Sequence, residues 1–316
     1  LIYFLPFAAA LVLMLVLTPL MRKLAYKIDY TEKPKSEARK IHKTEKPYLA
    51  GVGMFVTFWA VYCVFIREFN LGTLLIFIGS LLVFGIGMLD DWYKIRGKDL
   101  RALPKFIVQL AACCLVFFAG VRFFGISNPF SNVYYTFPVW LQFFLTISWM
   151  FGVTTVINFM DGMDGLAGGL TCISAGTLSI VAIAKYDVGS AIMGTSLVGI
   201  CLGYLRYNRF PAKILMGDAG ATFLGFILGL ISLGGAFKQA TAISIFVPVL
   251  ALGLPIFDNF YVIFKRIKEK KPIYVGDTNQ VHFRLLKTGL NQKQVVNYLY
   301  LVSVCLNLVA IIIFIL

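Results

Sequence analysis

Asn158, Asp161 and Asp164 stand three residues apart in an otherwise apolar stretch, with Gly162, Gly165, Gly168 and Gly169 between and after them. On a helical turn that spacing gathers the amide and both carboxylates near one face. The glycines let backbone N–H groups come close to a phosphate. Carboxylates alone would repel that phosphate, so acids beside such a backbone imply a bridging cation, Mg²⁺ before others. A polar turn between two apolar helices is the plainer alternative, since Asp-Gly is frequent in turns. Two such pairs in a chain with only 15 acidic residues favour a site, because ionisable groups beside membrane spans are usually functional.

Further candidates share one property: each lies at the end of an apolar run. Asp90 and Asp91 close one run, Asp218 opens another after Gly217, and Asp258 lies near the end of a third. Adjacent Asp90 and Asp91 point about 100° apart on a helix, so they take different roles, one of them capping or pairing with Lys94. Asp218 suits either a metal site or a helix N-cap. Asp258 reads as a contact for Arg266 or another base. His282, with Arg284 two residues on, is either a loop histidine or a phosphate contact, and spacing alone leaves both open.

These residues must be positioned by membrane helices. Of 316 residues, 59% are hydrophobic and 14% charged, with a mean hydropathy of +0.83; a soluble domain carries about 25% charged residues. Runs of spanning length fall at roughly 2–21, 50–66, 71–89, 104–121, 138–157, 165–184, 188–205, 219–236, 241–264 and 295–316. The chain is expected to be an all-α polytopic protein of ten spans forming one domain over 1–316. The first run lacks the basic start of a signal peptide and is expected to be a retained span. All but four of the 29 Lys and Arg residues (Arg67, Arg122, Lys185 and Lys238) lie in alternate connections. Those connections, about 22–49, 90–103, 158–164, 206–218 and 265–294, are therefore cytoplasmic and both termini outside. The same distribution explains the net charge of +14 through topology and anionic headgroups of the lipid bilayer, not nucleic acid. The candidate acids all fall on this cytoplasmic side, where topology does not require them. Six cysteines inside apolar runs read as packing residues. Pro248, Gly253 and Pro255 predict a broken ninth span whose second part, about 255–268, is displaced from the bundle.

Asp29 through Arg39, Lys40, Ile41 and His42, then Gly51 and Gly53, Leu89 to Asp91, the stretch from Asn158 to Gly168, Met216 to Gly220, and Val281 to Leu286 follow one another in a characteristic order. Together they resemble the polyprenyl-phosphate N-acetylhexosamine-1-phosphate transferases, bacterial plasma-membrane enzymes that start wall and surface-polymer synthesis. The resemblance covers roughly residues 29–290. It implies ten spans, a cytoplasmic site, and transfer of a sugar 1-phosphate from a UDP-sugar to a polyprenyl phosphate with release of UMP. It implies Mg²⁺, with Mn²⁺ as a substitute, held chiefly by Asp218 with support from Asp161. Asn158, Asp161 and Asp164 would hold the uridine diphosphate, and Asp90 would be the base toward the lipid phosphate, with Asp91 secondary. His282 would join the catalytic group, while Arg39, His42 and Arg284 would contact substrate. The broken ninth helix would border the prenyl groove. Dimers occur in the family.

Two features depart from the family pattern, and the first bears on the donor. Gln280 and Phe283 stand where relatives often carry histidine, leaving His282 alone, and Ala50 replaces one glycine of a usual pair. The Arg284-Leu285-Leu286 ending resembles the branch that uses UDP-N-acetylglucosamine with undecaprenyl phosphate. The muramoyl-pentapeptide branch, with a histidine run and a following acid, is the alternative. A phosphate oxygen is already a nucleophile near neutral pH, so direct attack is expected, with a covalent phospho-enzyme as the other route. A transporter is the reading from another class, but transporter sites sit at the midplane between inverted repeats, whereas these acids lie at span ends and no repeat is evident.

Overall fold

The computed structural model describes residues 1–32, 45–98, 100–127, 133–236, 245–270 and 278–316. Its helices follow the apolar runs in order: α1 (Phe4–Lys27), α2 (Ala50–Phe65), α3 (Leu71–Ile95), α4 (Ala102–Phe118), α5 (Val139–Phe159), α6 (Leu166–Ala184), α7 (Val188–Asn208) and α8 (Gly217–Ile231). A π-helical turn, Ser232–Ala236, extends α8, and α9 (Phe246–Ala251), α10 (Gly253–Lys268), α11 (Val281–Lys287) and α12 (Gln292–Ile315) complete the chain. The protein is mostly helical, and among the described residues seven helices are long and apolar enough to cross a membrane. Helices α2 and α4 are shorter and also apolar.

Local chemistry sets several helix starts. Asn70 accepts from the Thr73 N–H at 2.9 Å to cap α3, and Asp187 accepts from the Ser190 N–H at 3.2 Å to cap α7. Asn291 and Gln294 form a reciprocal capping box at α12. Two expectations change. First, the all-α reading omits two antiparallel hairpins, β1 (Thr31–Glu32) with β2 (Lys46–Pro47) and β3 (Gly125–Ser127) with β4 (Tyr134–Thr136). Strands of two or three residues are too short to leave a periodic signal. Second, α3 runs on to Ile95 and places Asp90 and Asp91 inside a helix, not in a connection. Hydropathy ends at the first carboxylate, but the helix continues through an Asp90–Lys94 pair one turn apart.

Helix α8 is the axis of the bundle: nearly every residue from Gly217 to Ile231 is buried. It packs against α2, α3 and α5. The α3 contact is close because Gly87 lies against the first turn of α8. A Cβ at Gly87 would sit 2.5 Å from the Ala219 Cα and 2.8 Å from the Asp218 carbonyl carbon. The ninth apolar run is interrupted at Leu252 between α9 and α10, earlier than the expected 255. Gly87→Ala is expected to wedge α3 from α8, destabilise the protein by about 1–3 kcal/mol and lower its thermal unfolding midpoint in detergent. Gly85→Ala on the same helix, where an added Cβ meets nothing within 4 Å, should leave the midpoint unchanged or raise it.

Candidate active site

The first turn of α8 is held by a carboxylate from another helix. Asp91 Oδ1 accepts the Asp218 N–H at 2.8 Å and its Oδ2 accepts the Ala219 N–H at 3.1 Å. Two of the donors that every helix start leaves unpaired are thereby satisfied, with a negative charge at the positive end of the dipole. Gly217 makes this possible, since its φ of +67° suits glycine and a Cβ there would run into the Asp91 carboxylate.

Asp90, about 100° round α3, faces a different set of partners. Its carboxylate pairs with Lys94 at 2.9 Å and with Lys105 of α4. Asp218 pairs with the same two ammonium groups, at 2.7 Å to Lys94 and 3.7 Å to Lys105. Two carboxylates and two cations thus form one cluster at the ends of three helices. Asp90, Lys105, Gln109, Asn158, Asp218 and Thr222 line a single small cavity beside it. Asp90 Oδ1 and Asn158 Oδ1 are buried oxygens without a hydrogen-bond partner among the described residues. Buried orphan oxygens of this kind are costly unless something not shown occupies the space between them.

The α5–α6 connection forms the next wall. Asp164 Oδ2 accepts the Ala212 N–H at 2.8 Å, while Asn208 accepts the Gly165 N–H and donates to the Ile214 carbonyl, both at 2.8 Å. These bonds clamp residues 160–165 to the segment that leads into α8. The base of the first connection joins the same segment: the Leu215 N–H donates to the Pro47 carbonyl and the Ala50 N–H to that of Leu215. Asp161 does not line the small cavity. It lies near Asp218 and Asp91, and burial followed by these neighbouring charges pushes its carboxyl well above the usual range.

Helix α11 brings the last candidates. Asp258 of α10 accepts the Val281 N–H at 2.9 and 3.0 Å through its two oxygens and Arg284 Nη2 at 2.9 Å. Asp258 therefore holds the start of α11, and Arg284 lies over the Tyr261 ring at 3.9 Å from its centroid. His282, two residues back, points the other way and is fully buried. Its imidazole packs on Gly162, where an added Cβ would clash with Nε2. Burial holds its pKa down to about 4, and neither ring nitrogen has a hydrogen-bond partner among the described residues. A neutral imidazole is thus fixed against the Asp161–Gly162 turn.

The structure gathers Asp90, Asn158 and Asp218, places Asp161 and His282 on the adjoining wall, and turns Asp91, Asp164 and Arg284 to the contacts described. Arg39 and His42 lie outside the described residues. Lys94 was visible as a partner one turn from Asp90; Lys105 was not singled out, because its partners are distant in sequence.

Among the described residues, no group of three or more His, Cys, Asp or Glu surrounds a common point. The donor set nevertheless fits a hard divalent cation: two carboxylates and an orphan amide oxygen beside a cavity leave positions that substrate oxygens and water would complete, which is how Mg²⁺ is usually held.

An apolar helical bundle with a charged cluster at the ends of three helices is the build of a multi-pass membrane protein with a polar site at one end of its helices. The family model described as glycosyl transferase family 4 matches residues 73–236. The chain is 34% identical to a probable undecaprenyl-phosphate N-acetylglucosaminyl 1-phosphate transferase of Bacillus subtilis, covering 97% of this chain and 83% of that protein. It is 31% identical to a phospho-N-acetylmuramoyl-pentapeptide-transferase of Desulforamulus reducens, covering 96% and 92%. It is 27% identical to a decaprenyl-phosphate N-acetylglucosaminephosphotransferase of Mycobacterium tuberculosis, covering 89% and 75%. The chain belongs to glycosyl transferase family 4.

Gly162→Ala is expected to displace the His282 ring at a packing cost of about 1–3 kcal/mol, equivalent to roughly fivefold to 150-fold in its exposed population. Diethylpyrocarbonate labelling of His282, followed by peptide mass spectrometry, should rise accordingly; unchanged labelling would contradict the packing described.

Proposed function

We propose that this protein transfers N-acetylglucosamine 1-phosphate from UDP-N-acetylglucosamine to undecaprenyl or a related polyprenyl phosphate, releasing UMP at the cytoplasmic face of a bacterial plasma membrane. The observation that carries the reading is the shared grip of Lys94 and Lys105 on Asp90 and Asp218, beside the unpartnered oxygen of Asn158. The ten apolar runs would all be spans, with both termini outside and α9 and α10 together forming the ninth.

In the proposed reaction an oxygen of the lipid phosphate attacks the β-phosphorus of the donor. A new P–O bond forms to the lipid, the bond from that phosphorus to the bridging oxygen breaks, and UMP departs with the electron pair. Bound Mg²⁺ would neutralise charge on the pyrophosphate, held by Asp218 and Asp90 with Asn158 or Asp161 completing its protein ligands. Lys94 and Lys105 would turn from their carboxylates toward phosphate oxygens as the substrates enter. Asp90, already paired with two cations, acts by charge and position, since the attacking phosphate is anionic near neutral pH. Asp91 keeps the first turn of α8 in place. Neutral His282 would offer a hydrogen bond to donor phosphate or sugar, and Arg39, His42, Asp164 and Arg284 would complete or support the donor pocket. The exposed Phe257, Phe260 and Phe264 of α10 offer an apolar flank to the prenyl chain.

Relatives acting on the muramoyl-pentapeptide donor support a second reading with the same chemistry. The single histidine of the 280–284 stretch and the Arg284-Leu285-Leu286 ending favour the first. Purified protein given polyprenyl phosphate, Mg²⁺ and a panel of UDP-sugars should release UMP with UDP-N-acetylglucosamine and require both lipid and metal. Chelation should abolish release. Asp218→Ala should lower turnover by about 10³-fold or more, the scale seen when one transition-state charge stabiliser is removed. Release only with the muramoyl-pentapeptide nucleotide would move the assignment to the second reading. Phospho-enzyme trapped without acceptor would overturn direct attack.

A further inference from the structure

The break between α9 and α10 is pinned from two other helices, and the pins lead to the active site. Pro255 has no N–H, so it cannot serve the carbonyl four residues earlier, that of Ala251. In the interior of an apolar bundle an unserved carbonyl costs several kcal/mol. Two side chains supply the missing donor. The Ser174 hydroxyl of α6 donates to the Ala251 carbonyl at 2.6 Å, and the Asn307 amide of α12 donates to it at 3.2 Å. Asn307 is itself steadied by donating to the Ser303 carbonyl at 2.8 Å. Ser174, Ala251 and Asn307 are all buried.

From this point a continuous series of contacts runs to the site. Helix α10 leaves the break at Gly253 and carries Asp258 five residues on. Asp258 holds the Val281 N–H and Arg284, which sets the start of α11. Helix α11 sets the His282 ring against Gly162, beside Asp161. Ser174 and Asn307 lie on α6 and α12, whereas the acidic cluster is formed by α3, α4 and α8, and neither serine nor asparagine favours a helix interior.

We infer that Ser174 and Asn307 are positioning residues for the transferase: by serving the Ala251 carbonyl they fix the direction of α10, and through Asp258 they fix where α11 presents His282. The functional half of this inference rests on the proposed transfer reaction; the structural half does not.

The test is the Ser174→Ala/Asn307→Leu double variant, with Ser174→Thr as the conservative control that keeps a hydroxyl donor. Hydrogen–deuterium exchange of the 281–287 amides reads the position of α11 without any substrate, and UMP release reads the reaction. Loss of both donors should speed exchange in 281–287 by about tenfold, the equivalent of one hydrogen bond. Exchange in α5 to α8 should stay as in the parent, and the kcat/KM for UDP-sugar should fall about tenfold. Ser174→Thr should match the parent in both. Unchanged exchange in 281–287 would overturn the inference, as would faster exchange with unaltered kcat/KM. Equal acceleration throughout the bundle would reduce the two residues to general packing and overturn it as well. Should the parent release no UMP with any donor, the proposed function fails, while faster local exchange would still establish the pin. If the double variant cannot be purified, Ser174→Ala alone retains the Asn307 bond and is read by the same two measurements.

Discussion

A charge at the end of an apolar bundle has to be compensated by groups that the bundle itself brings near, because little water reaches it and the attraction between ions is strong there. Asp90 and Asp218 meet this constraint with Lys94 and Lys105, and their arrangement fixes how three helices meet. If α3, α4 and α8 shifted apart, the buried Asp90 carboxylate would lose a counter-ion. The cluster therefore tightens the bundle where it must also open to substrate. Every partner in it is an ion that a phosphate or a divalent metal could replace like for like, which suits a site that exchanges charged ligands.

Asp91 shows why two neighbouring acids are not interchangeable. It spends both oxygens on backbone N–H groups of α8, and Gly217 clears the space for it. That leaves Asp90 and Asp218 free to face the cavity from adjacent helices. The Asp91 carboxylate acts on the site by holding α8 in register against α3, the same register that the Gly87 contact requires. With Asp218 in the first turn of α8 and its side chain turned to the lysines, a separate group caps that turn, and the neighbour of Asp90 supplies it.

Much of this was legible in the sequence. Most apolar runs coincide with helices within a few residues, while α1 and α3 run about six residues beyond theirs and the ninth run divides into α9 and α10; Asp90, Asn158 and Asp218 stand out by type and by their place at run ends. The i, i+4 pair of Asp90 and Lys94 could be anticipated on one helix. Contacts between backbone and distant side chains could not. Asp91 finds its donors 127 and 128 residues away, and nothing in its own neighbourhood marks it as a cap. Asp258 was expected to meet a base, and Arg284 is one, but its bond to the Val281 N–H depends on where α11 lands. Lys105 carried no local signal, because a lone lysine at a span end is what topology alone would place there. Hydropathy also misplaced the end of α3, since a helix can continue past the point where its residues cease to be apolar.

Two sides of the site are built to different physical standards. The acidic cluster is held by short-range ion pairs that tie α3 and α4 to the almost wholly buried α8. The His282 side rests on a seven-residue helix whose start is set by Asp258 and whose Val281, Leu285 and Leu286 pack on the core. A neutral, buried imidazole gains nothing from the lysines or the acids, so its location is decided by packing and by the backbone that delivers it. It follows that the cluster should tolerate motion of α10 and α11 far better than His282 can. Under the proposed reaction, charge neutralisation would lie with the cluster of Asp90, Asp218, Lys94 and Lys105. Discrimination between donors that share a uridine diphosphate and differ in their sugar would lie with the part whose geometry is set at the α9–α10 break.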